Sequence, residues 1–163
     1  MKKTFTISTI SILFLILAAC SINNEMVFYL ISTKPVEGAK KIGCEEYLVP
    51  VKKSVFGKVT IESALNALFE AELKNLTTAT AIKDKYLMLE SVEMRKFGDN
   101  DGYLVSFKKN PDVGLAGVCD APRLKEQITE TVRSATGSKP FLIRVDGEPK
   151  NWECIGDESG KCS

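Results

Sequence analysis

Histidine is absent from this chain of 163 residues. That gap removes Ser-His and Cys-His nucleophile pairs, imidazole metal ligands and histidine pH switches together. Tryptophan occurs once. An excess of either charge is also missing, with 22 Lys and Arg against 21 Asp and Glu, so nothing in the balance advertises a nucleic-acid partner. Long apolar runs are confined to the N-terminus. Residues 4–19 carry no charge but are diluted by Thr and Ser, and they fall short of the ~20 predominantly apolar residues of a spanning helix. The remainder is too short for several ordinary domains. At 44 % hydrophobic and 26 % charged residues, one self-sufficient core is expected.

What is present begins with a targeting pattern. Lys2 and Lys3 precede an apolar stretch that intensifies from Ile10 to Leu17 and closes on Ala18, Ala19 and Cys20. A basic start, a short apolar centre and a small-residue end form an export signal. Leu17-Ala18-Ala19-Cys20 resembles a bacterial lipobox. The resemblance implies attachment of diacylglycerol to the Cys20 sulfur, cleavage ahead of Cys20 and acylation of the new terminus. Cysteine suits this role because its thiolate is a good nucleophile. One acyl chain holds a protein only marginally, whereas two or more make a stable anchor at ~0.8 kcal/mol per buried CH2. The expected organisation is a signal peptide over residues 1–19, a lipidated terminus and short polar spacer over 20–25, a domain over 26–150 and a tail over 151–163. Loss of Lys2 and Lys3 leaves 20 basic against 21 acidic groups. The chain is then expected on the outer face of the cytoplasmic membrane or, in a two-membrane cell, on the outer membrane.

Export changes the meaning of Cys44, Cys119, Cys154 and Cys162, since an even count in an oxidising compartment points to disulfides. Four cysteines allow three pairings. Proximity favours Cys154 with Cys162, a staple for a tail that would otherwise fray, and leaves Cys44 for Cys119. A zinc cage of four thiolates lacks close Cys-x-x-Cys spacing. The segment Asp99-Asn100-Asp101-Gly102 resembles part of a calcium loop but lacks the later glutamate, and a plain turn is the better reading. No metal and no cofactor are expected.

Hydropathy patterning supplies the elements. Residues 26–32 and 46–51 read as strands, the second with Pro50 favouring an edge or strand end. From Thr60 the period changes to that of a helix, with Thr60 as cap and a stripe of Ile61, Leu65, Leu68, Phe69 and Leu73. Residues 89–97 and 102–108 alternate on either side of a turn-rich segment, as a hairpin does. Asp120 is placed as the N-cap of a second helix, with Pro122 in its first turn and Leu124, Ile128, Val132 and Ala135 as its stripe. Residues 140–145 form a last strand. The order β-β-α-β-β-α-β predicts an α+β fold: a mixed, mainly antiparallel sheet of about five strands with both helices on one face.

Three segments carry a family resemblance: Gly43-Cys44-Glu45-Glu46-Tyr47-Leu48-Val49-Pro50-Val51, Gly117-Val118-Cys119-Asp120-Ala121-Pro122-Arg123, and Phe141-Leu142-Ile143-Arg144-Val145-Asp146-Gly147. Together they resemble GerMN domains, the sporulation and spore germination domain family. The resemblance covers most of residues 26–150 and is most specific in the Gly-x-Cys-Asp-x-Pro-Arg segment. It implies a domain carried by exported lipoproteins, related to ring-building or docking modules, with no established catalytic residues. Cys44 and Cys119 both fall in matched motifs, in agreement with their pairing by proximity. This chain departs from the spore proteins in being a single small copy with extra cysteines.

Asp120 and Arg123, three apart at a helix start, can present a charge pair to a ligand or serve as a cap and local ion pair. Trp152 can anchor a partner or cover the edge of the core. No catalytic constellation stands out, and no enzyme is expected. The first expectation is a tethered interaction module that assembles with another copy or an envelope protein through a sheet edge such as residues 26–32. The alternative is a lipoprotein that binds a cell-wall glycan or small ligand in an aromatic cleft.

Overall fold

The computed structural model describes residues 23–71, 85–115 and 117–157. The expected signal segment over residues 1–19, Cys20, Leu73 and Cys162 lie outside the described residues. The fold is α+β. Its elements are β1 (Asn23–Ser32), β2 (Lys40–Lys41), β3 (Tyr47–Phe56), α1 (Ile61–Glu70), β4 (Leu87–Phe97), β5 (Asn100–Lys109), α2 (Asp120–Thr136), β6 (Phe141–Val145) and α3 (Pro149–Glu153).

The strands fall into two three-stranded sheets rather than one continuous sheet. The first is antiparallel, in the order β1-β3-β2. The second is mixed, in the order β4-β5-β6, with β4 antiparallel and β6 parallel to β5. The expected spacer at residues 23–25 is part of β1, since Asn23, Asn24 and Glu25 pair with Phe56, Val55 and Ser54. Alternation places Met26, Phe28 and Leu30 in the core on one face of β1.

Pro50 sits inside the central strand, and the register shows why this is tolerated. β2 ends opposite Leu48, so β3 has no β2 partner at Pro50. Across the ladder, Pro50 opposes Tyr29, whose N–H and carbonyl both turn away from β3. In such a pair the backbone groups of Pro50 also point outward, so no ladder hydrogen bond is lost.

Thr60 caps α1 as expected, and a reciprocal pair of hydrogen bonds with Ser63 completes a capping box. Ile61, Leu65 and Leu68 are buried. In α2, Leu124, Ile128 and Val132 are fully buried, and Gly137 ends the helix at a positive φ of 64°. The N-cap of α2 is Cys119, not Asp120, and no side chain caps this end. The β4–β5 turn contracts to Gly98 and Asp99, with Phe97 opposite Asn100. Gly102 is needed for close approach, because a Cβ there would run into the Pro140 carbonyl and the Phe97 ring. One core joins both sheets, both long helices and Ile155 from the tail.

Candidate functional site

The two most specific sequence segments meet in space. Cys44 and Cys119 form a disulfide, with Cα atoms 6.0 Å apart and a sequence separation of 75. Beside it, Arg123 donates two hydrogen bonds to Glu46, Nε to Oε2 and Nη2 to Oε1, each at 2.6 Å. Its third nitrogen reaches Asp120 Oδ1 at 3.0 Å. This fork-on-carboxylate arrangement suits the planar guanidinium, which a lysine would not reproduce.

The local backbone aims these groups. Gly43–Glu45 is a short 3-10 turn in which Cys44 and Glu45 have φ of 60° and 57°. Left-handed backbone is costly for non-glycine residues, and here a covalent bond and a bidentate pair hold its two flanks. The side chains of Glu46 and Asp120 are 6 % and 5 % exposed. Its hydrogen bonds to Glu46 hold the Arg123 guanidinium above its ordinary value, against the opposing effect of burial, and the charges of Glu46 and Asp120 reinforce them. Asp120 and Arg123 are therefore engaged in a buried cluster with Glu46 and do not stand open to a ligand. Sequence reasoning missed Glu46, although its place two residues after Cys44 in the first motif was the available signal.

Trp152, on α3, is half-buried and stacks on the fully buried Phe107 at a centroid distance of 6.4 Å. It closes the rim of the core. Cys154 is disulfide-bonded. The tail packs closely here, since a Cβ on Gly156 would collide with Ala121. A solvent-open pocket of about 340 Å³ lies nearby, lined by Tyr86, Lys109, Asp146 and Asn151 among others. Trp152 does not line it. Three polar side chains of the pocket are engaged: Asp146 Oδ1 accepts from the Lys109 N–H, Asn151 Nδ2 donates to the Val145 carbonyl, and Lys109 Nζ lies over the Tyr86 ring. Among the described residues no cluster of three or more potential metal ligands occurs.

The edges of the sheets differ sharply. The outer edge of β1, expected to be open, is covered at Tyr29 by α2. Thr131 Oγ1 accepts the Tyr29 N–H at 3.1 Å, and Gln127 Nε2 donates to the Tyr29 carbonyl at 3.2 Å. Both helix residues are fully buried. This helix occupies the edge that a continuous sheet would have used.

Among the described residues, no strand pairs with the outer edge of β4. Opposite Met94, Tyr103 donates its N–H to the Pro140 carbonyl, away from β4. Partners in such a wide antiparallel pair turn their backbone groups in opposite directions, so the N–H and carbonyl of Met94 face outward. The Met94 side chain is also exposed.

Comparison with protein-family models, curated proteins and solved structures finds no match to this chain.

Proposed function

We propose that this chain is a lipid-anchored cell-envelope protein whose single domain works as a non-enzymatic interaction module of the GerMN type. The observation that supports this reading best is the outer edge of β4, which no strand among the described residues pairs and which offers outward backbone groups at Met94 beside an exposed methionine side chain. Main-chain hydrogen bonds at such an edge supply affinity for an added strand, and neighbouring side chains supply selectivity. Edge association thus moves from residues 26–32, where α2 covers Tyr29, to β4.

The edge also carries guards. A register shift between Leu89 and Ser91 interrupts the ladder, and Glu93, Arg95 and Lys96 punctuate the strand. Bulges and charges discourage indiscriminate pairing, so a partner strand must match them. That partner is a second copy or another envelope protein, and the anchor on Cys20 holds the domain at the membrane where it is met.

All described elements lie at or beyond Asn23, so a chain of residues 21–163 carries the whole described fold. Light scattering of this oxidised form across a concentration series tests self-assembly. A defined oligomer is expected, and Met94→Pro, which removes an outward N–H without touching the β4–β5 ladder, should leave it monomeric and folded. A strict monomer at all concentrations would exclude self-association by this domain.

A further inference from the structure

We propose that the end of the first sheet, where β1 begins and β3 stops, is a docking surface for the face of a phospholipid bilayer, with the Phe56 ring as its contact. The inference rests on the lipidation of Cys20 proposed above. Phe56 is 81 % exposed, more than any other large hydrophobic side chain among the described residues. It is the last residue of β3 and pairs with Asn23, the first residue of β1.

Covalent geometry then limits where Phe56 can be. Three residue steps from Cys20 to Asn23 span at most about 11 Å. Opposed residues of an antiparallel pair hold their Cα atoms about 4.5–5.5 Å apart. The Cα of Phe56 is thus tethered within about 16 Å of the Cα of the lipidated residue. A free spacer over residues 23–25 would have relaxed this limit, but those residues are part of β1. The rigid sheet end is brought to the polar layer of the bilayer, where amphipathic surfaces bury aromatic and aliphatic side chains.

Charge plays a lesser part. Lys52, Lys53 and Lys58 flank Phe56 in sequence, while Glu25 pairs with Lys52 at 2.8 Å and Glu62 lies in the first turn of α1. The surplus is a single positive charge, so the ring and the short tether carry the contact rather than attraction to anionic lipid.

The test uses the full-length chain, made in cells that process lipoproteins and reconstituted into vesicles of phospholipids brominated on their acyl chains. Phe56→Trp and Met94→Trp are each read against the emission of the native Trp152, while the mass of the N-terminal peptide reports the attached lipid. The expected result is loss of most of the emission added by Phe56→Trp and retention of that added by Met94→Trp. If lipid is attached yet the Phe56→Trp emission is retained, or both variants are quenched alike, docking through this end is overturned and the anchor stands. A peptide without lipid overturns the anchor, and the docking with it.

Discussion

The strands β1 and β4 are both long and both lie at the edge of a sheet, yet the molecule treats them in opposite ways. At β1, two buried polar side chains of α2 take the N–H and carbonyl of Tyr29. At β4, the outward groups of Met94 meet no strand among the described residues. Open backbone groups are a standing invitation to pair, and a protein that closes one edge with a helix has the means to close another. The contrast therefore supports β4 as the edge of the proposed association, and it makes Thr131 and Gln127 of α2 the groups that keep β1 out of it.

Breaking that machinery should blur the difference. The largest effect is expected from Arg123→Ala, which takes the guanidinium from the buried carboxylate of Glu46 and loosens its tie to the start of α2. Removing one partner from a buried ion pair typically costs about 3–5 kcal/mol, and urea unfolding of the oxidised protein would read the loss. Next comes the double variant Cys44→Ser/Cys119→Ser. For a bond closing 75 residues, the chain-entropy relation gives about 4.5 kcal/mol, and removal of native disulfides typically costs about 2–5 kcal/mol. The same denaturation series checks it.

A smaller and more specific change is Thr131→Val, which keeps the shape of the side chain but leaves the Tyr29 N–H without its acceptor. A loss of about 1–3 kcal/mol is expected. If the comparison of edges is sound, this variant should also associate through β1, so that Met94→Pro no longer returns it to a monomer in light scattering.

The smallest expected effect concerns acid. Burial pushes the Glu130 carboxyl up, but hydrogen bonding and charge from Arg133 and Lys40 outweigh it, and the group is held below its ordinary value of 4.5. A carboxylate with a depressed folded value contributes stability that is present above its unfolded value and lost as pH falls through the folded one. Glu130→Gln should therefore cost less than about 1 kcal/mol near neutral pH, because Arg133 and Lys40 are largely exposed, and should flatten the loss of stability below pH 4.5. Thermal unfolding at a series of pH values measures both.

Much of the fold was legible because it is local. Thr60 and the Leu124-Ile128-Val132 stripe each act within a turn or two of helix, and they fall where capping and periodicity rules put them. The Cys44–Cys119 pairing follows once proximity pairs Cys154 with Cys162. The covering of the β1 edge was not legible, since Thr131 and Gln127 read as polar helix positions until the helix lies against Tyr29. Asn23, Asn24 and Glu25 read as a spacer because their composition is polar, but β3 continues to Phe56 and gives them partners. Glu46 reads as the start of a strand, and only its meeting with Arg123 across 77 residues reveals its role.

Closure of the β1 edge also sets a clock on biogenesis. Tyr29 and Thr131 are separated by 102 residues, so a chain delivered in N-to-C order presents β1 well before the helix that covers it. At synthesis rates of about 5–20 residues per second, that interval is on the order of 5–20 s. During those seconds β1 and β3 can pair, but Tyr29 keeps its outer groups free for any neighbouring chain, so the interval before α2 is made is the time at which this chain is most exposed to aggregation.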